Sequence, residues 1–150
     1  MFQLLTLLTA KGEINTKIKL DPGAYLPVRA HQSDAGLDLI TPKSFWLYAN
    51  NKAVIDTGVH VQIPEGMVGL IRSKSGLMAR GVTCRGTIDS GYTGSVKAVL
   101  FNHSDDGIPF EAGQKVCQLV VLPCVIEDIE LVNSLEETDR GDAGFGSSGQ

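Results

Sequence analysis

The stretch GTIDSGYTG, residues 86–94, places Asp89 three residues before Tyr92. Asp89 is the lone acid between Gly66 and Ser104, a segment that also carries Arg72, Lys74, Arg80, Arg85 and Lys97. A carboxylate among cations stays ionised. It can then orient or deprotonate a water that attacks a phosphate ester. Tyr92 offers a flat wall for a sugar or a base. Read in isolation, Asp-Ser-Gly is also an ordinary hairpin tip.

Three other stretches gather groups that suit an anionic ligand. RSKSGLMARG, 72–81, joins cations to serine hydroxyls. It predicts a short helix over 76–80, capped by Ser75 and stopped by Gly81. No Walker pattern precedes Ser75. SDAGLDL, 33–39, sets Asp34 and Asp38 around a glycine, as acidic turns before strands often do. AGQKVCQLVV, 112–121, holds Gln118 as a lone amide in an apolar run, and a buried amide must find partners. Near the end of the chain, RGDAGFGSSG spaces Gly144, Gly146 and Gly149 as in a dinucleotide-binding loop, but only Gln150 follows and the required helix is missing. His31, His60 and His103 have no metal-ligand spacing, and no Ser-His-Asp set is apparent.

The elements that must hold these groups read as strands. Val59, Val61 and Ile63 alternate with polar residues, as do Val96, Ala98 and Leu100. Residues 116–126 are apolar on both faces, which predicts a strand sandwiched in a core or at a subunit interface. Turn signals recur at Asp21-Pro22-Gly23, Pro64-Glu65-Gly66, Asp89-Ser90-Gly91 and Asp105-Asp106-Gly107. Short strands between frequent turns imply an all-β sandwich or barrel. The 150 residues suit one domain. Cys84, Cys117 and Cys124 are odd in number and lack C-x-x-C spacing, so they are expected as reduced thiols of a cytoplasmic protein. The net charge of −4 argues against a nucleic-acid binder. A cationic middle in an acidic chain fits a small anion better than a long polyanion. The first ten residues are apolar without a basic start, which reads as an extension and not as a targeting or membrane segment. The expected organisation is an extension over 1–16, a β-domain over 17–135 and a polar, glycine-rich arm over 136–150.

In order, DAGLDL, SKSGLMARG, GTIDSGYTG, GQKVCQL and RGDAGFGSSG resemble the five motifs of the trimeric dUTP pyrophosphatases (dUTPases), over residues 17–149. The resemblance implies a jelly-roll β-barrel of the β-clip type, with one short helix and a flexible C-terminal tail. It implies a homotrimer with active sites between subunits, and hydrolysis of dUTP to dUMP and pyrophosphate with Mg²⁺. Such activity keeps uracil out of DNA and supplies dUMP for thymidylate synthesis. Asp89 matches the catalytic aspartate, and Asp38 would hold the metal through water. Lys74, Ser75, Gly76 and Gln118 match phosphate-binding positions, and Lys97 is counted with the substrate-binding residues. Backbone groups of Gly86, Thr87 and Ile88 would read the uracil edge, and Tyr92 would pack on deoxyribose. In the lid, Phe145 would stack on uracil, while Arg140, Gly146 and Ser147 would close over the phosphates. The sequence departs from the pattern at Lys74, where arginine is usual, at Gln114-Lys115 in place of Asp-Arg, and at Ser148 in place of threonine. A dCTP deaminase of the same fold is one rival; it needs a catalytic glutamate where this chain has Val99. A non-catalytic nucleotide-binding regulatory trimer is the other.

Overall fold

A computed structural model describes residues 15–142. Nine strands occur among them: β1 (Lys17–Leu20), β2 (Gly36–Ile40), β3 (Phe45–Leu47), β4 (Lys52–Gln62), β5 (Met67–Arg72), β6 (Val82–Ile88), β7 (Ser95–Asn102), β8 (Ile108–Phe110) and β9 (Lys115–Pro123). One helix, α1 (Ser75–Met78), lies between β5 and β6. Seven strands form a curled sheet in the order β1-β4-β7-β6-β5-β9-β2, and β3 pairs with β8. All the ladders are antiparallel. This is the all-β barrel architecture expected from the sequence.

The curl buries one face. Val59, Val61 and Ile63 point inward from β4 and its end, as do Val96, Ala98 and Leu100 from β7, in agreement with their alternation. Leu39, Ile71, Val82, Val116 and Leu119 complete the core with Phe110, whose ring stacks on Phe45 at 4.7 Å. Within one chain, β9 is not covered on both faces over the whole of 116–126, which sets aside the core alternative and not the subunit-interface one. Val116, Cys117 and Leu119 are buried, but Leu122 is 42% exposed and the strand ends at Pro123. Val120 is half-buried on the strand's outer side, beside the exposed Leu122, among the described residues. Cys84 and Cys117 are buried free thiols, and Cys124 is exposed.

Two irregularities shape the site. First, β6 changes partner along its length. Val82, Thr83 and Cys84 pair with β7, whereas Arg85, Gly86, Thr87 and Ile88 pair with β5. The β6–β7 hairpin therefore splays open beyond Cys84. Second, the β4–β7 register shifts between Asp56 and His60. Thr57 fills this bulge, its hydroxyl donating to Val96 O at 2.7 Å. Bulges bend a strand and re-aim its neighbours. Here the bulge carries Asp56 and His60 to the neck of the splayed hairpin.

The short helix also corrects an expectation. Ser75 is its first residue and not its cap; extended Lys74 holds the cap position without a side-chain cap bond. Lys74 O instead accepts from Leu77 N and Met78 N. No helix among the described residues is long and apolar enough to cross a membrane.

Candidate active site

Strand register builds a polar row. Asp38 on β2 lies opposite Gln118 on β9, and Gln118 lies opposite Arg72 on β5. Arg72 in turn faces Arg85 on β6. Directly opposed residues share a face of the pleat, and the alternate residues Leu39, Cys117, Ile71 and Cys84 point into the core. The row thus occupies the outer face.

Asp38 is only 4% exposed and is held by two cations. Lys74 Nζ lies 2.5 Å from one carboxylate oxygen and Lys115 Nζ 2.7 Å from the other. Burial pushes the carboxyl up, but hydrogen bonds from Lys115 and Lys74 outweigh it and hold the group below the usual range. Gln118 is fixed in turn. A Cβ on Gly36 would lie 2.3 Å from Gln118 Oε1, so only glycine lets this amide lie over β2. Its Nε2 donates to Ser73 O at 3.4 Å. Ser73 clamps β6 to this corner: its hydroxyl donates to Cys84 O at 2.9 Å and accepts from Cys84 N at 2.7 Å. Ser75 and Gly76 are exposed beside it, and a Cβ on Gly76 would meet nothing within 4 Å.

The second cluster sits at the hairpin turn. Ile88 is buried and ends β6; Asp89 follows, exposed, and its carbonyl accepts from Tyr92 N at 3.0 Å. The Asp89 carboxylate has no hydrogen bond or ion pair among the described residues. The expected ring of cations does not surround it within one chain. Arg72 and Arg85 sit four residues from Asp89 down the β5–β6 ladder, about 13 Å away along the strands. Lys97 lies opposite Asp56 on β4, and its charge helps to lower the Asp56 carboxyl after the hydrogen bonds from Ser95 and Gly58. Tyr92 is braced: its hydroxyl donates to Ser95 O at 2.9 Å, and its ring fills the space where a Cβ on Gly94 would sit. Ring and neck are further tied by His60, whose Nδ1 meets Thr93 O at 2.9 Å and whose Nε2 meets Asp21 at 3.0 Å. Between the turn and Cys84, the β6 edge that would face β7 lies free of that ladder over residues 85–88. Alternate residues over this stretch therefore turn their backbone donors and acceptors to that free edge.

The dUTPase family model matches residues 23–149, which spans both clusters and the strands that carry them. The chain belongs to the dUTPase family. Deoxyuridine 5'-triphosphate nucleotidohydrolases of Nocardia farcinica and Clostridium acetobutylicum are 42% and 38% identical to it. The first aligns over 87% of this chain and 82% of its own length, the second over 91% and 97%. Among solved structures, the dUTPase of Staphylococcus bacteriophage 80alpha bound to dUPNHPP superposes with a TM-score of 0.84 at 31% identity, covering 91% of this chain and 99% of that one. A dUTPase variant from phage phi11 of S. aureus, described with a coordinated structural Mg(II) ion, gives 0.75 at 28% identity, covering 82% and 99%.

Measured against the dUTPase motifs, the structure joins Asp38, Lys74 and Gln118 in one cluster and Asp89 and Tyr92 in another. Arg140 is exposed outside the strands. Phe145, Gly146 and Ser147 lie outside the described residues. Reading the sequence missed Lys115 as the second counter-ion of Asp38, and Ser73 as the clamp between β5 and β6. Lys115 had a signal, since it stands where the dUTPase pattern has arginine. Ser73 had none, because only the fold brings it beside Cys84.

Proposed function

We propose that this chain hydrolyses dUTP to dUMP and pyrophosphate. The observation that carries the reading is Asp89, an unpaired carboxylate at the turn of a hairpin whose β6 edge is free to read a base. A water held by Asp89 loses a proton to the carboxylate as its oxygen attacks the α-phosphorus. The bond to the bridging oxygen breaks, and pyrophosphate leaves with that electron pair. Free N–H and C=O groups over 86–88 read the uracil edge, since a site built to pair with particular polar groups rejects other bases strongly. The braced Tyr92 ring packs on deoxyribose and leaves no space for a 2′-hydroxyl. Gln118, Ser75 and Gly76 take the phosphates.

Asp89 and the polar row are separated along the sheet, which supports a homotrimer in which neighbouring chains complete each site. The exposed outer face of β9 and the exposed Ile129 and Leu131 support the same assembly. We assign residues 136–150 as the lid arm, with Arg140, Phe145, Gly146 and Ser147 closing on substrate, 17–135 as the barrel domain and 1–16 as an extension. No cluster of three potential metal ligands occurs among the described residues. In this reading Mg²⁺ is carried in by the triphosphate, and Asp38 would touch it through water. When bound, the ion offsets phosphate charge. We place the protein in the cytoplasm, acting on nucleotide without nucleic acid or membrane.

Val99, where a deaminase needs its glutamate, faces Val54 across β4 and β7 and cannot relay protons. A pyrophosphate-release assay on dUTP, dCTP, dTTP and UTP with Mg²⁺ tests the assignment. Release from dUTP alone is expected. Ammonia from dCTP, or no turnover of any of them, overturns it.

A further inference from the structure

The cation at the second-motif phosphate position is already engaged, because Lys74 is committed to buried Asp38 along with Lys115. Arg72 and Arg85 are different. They close the β5–β6 ladder as a directly opposed pair, and both are exposed. Neither makes a hydrogen bond or ion pair among the described residues. Like charges in directly opposed positions destabilise a sheet, and no ion pair among the described residues relieves them. The Ser73–Cys84 hydrogen bonds lock the backbone immediately beside both arginines, so the pair is held together and not free to splay. Arg72 also lies directly opposite Gln118. The row therefore runs from a neutralised carboxylate, through an amide, to two unpaired guanidiniums.

We propose that Arg72 and Arg85 form a phosphate-anion subsite for the pyrophosphate end of the substrate, and for pyrophosphate as product. The proposal rests on the dUTP reading above for its substrate, but not for its anion chemistry. Guanidiniums present paired donors that match phosphate oxygens, and this pair supplies the bidentate contact that a lysine at position 74 cannot. Continuity with Gln118 favours phosphate over the other anion available, the acidic 127–142 segment of a second copy.

Arg72→Gln, Arg85→Gln and the double variant test this by titration calorimetry with inorganic pyrophosphate and with dUMP, alongside KM for dUTP. Loss of charge-assisted bonds should weaken pyrophosphate by about ten-fold or more in the double variant. KM for dUTP should rise in parallel, dUMP affinity should hold, and Arg72→Lys with Arg85→Lys should restore only part of the loss. Unchanged pyrophosphate affinity in a double variant with the parent's melting temperature overturns the subsite. So does a change in oligomeric mass with pyrophosphate affinity intact, which would give the pair to a neighbouring chain. If the parent protein binds pyrophosphate through these arginines yet releases none from dUTP, the subsite stands and the dUTP reading fails.

Discussion

The two halves of the candidate site are built differently. The β2–β9–β5 row is fixed inside one chain: Asp38 is buried, doubly paired and hydrogen-bonded, and Gln118 is seated over Gly36. The β6–β7 hairpin is exposed, and Asp89, the catalytic group we propose, has no partner among the described residues. The first half holds charge in place before any ligand arrives. The second offers an unpaired carboxylate and an open backbone edge, which in the proposed mechanism act once substrate arrives. Preorganised charge lowers the cost of binding phosphate, whereas an unpaired base keeps its capacity for a proton.

The sharpest way to break this contrast is Asp89→Asn. Turnover should fall on the order of 10²–10⁴-fold while the melting temperature and nucleotide binding hold; retained activity would remove Asp89 from the chemistry. Deleting 140–150 comes next. It should leave the fold intact, because the strands and core of the described residues all lie before it, and cut the rate strongly; an unaffected rate would dismiss the lid.

Acid should act on the paired half. The folded Asp38 carboxyl sits below its unfolded value, so its contribution is present above about pH 3.9 and fades as pH falls through the lower folded value. Chemical denaturation across this range should show a smaller acid loss in Asp38→Asn than in the parent. Gly36→Ala should displace the Gln118 amide and raise KM more than it lowers the melting temperature, as steady-state kinetics beside thermal melts would reveal.

The smallest expected effect lies at the hairpin neck. His60 is raised by its bonds to Thr93 O and Asp21. Its contribution is whole below about pH 6.5 and is lost as pH climbs through the higher folded value. An NMR titration of the imidazole should find that higher value, and His60→Gln should abolish the step. A normal or lowered value would separate His60 from the neck.

Much of this was legible in advance where a local rule governs. Alternation revealed the inward faces of β4 and β7, because pleat geometry sends every second residue to one side. The motif series singled out Asp89, Gln118 and Tyr92 as candidates. The helix start failed by one position: Lys74 in extended conformation supplies the first acceptor, so Ser75 is not needed as a cap. The cation ring around Asp89 failed for a different reason. Sequence proximity put Arg72, Arg85 and Lys97 near it, but strand register sends Lys97 to Asp56 and sets the arginines against each other.

Composition, alternation and motif order determined an all-β chain with dUTPase-type chemistry, since each depends on residues close together in the chain. Only the tertiary structure decided which charges are spent and which are free. Pairing across β2, β9, β5 and β6 joins residues from positions 38 to 118, and that register is set by the packing of the whole sheet, not by any one segment.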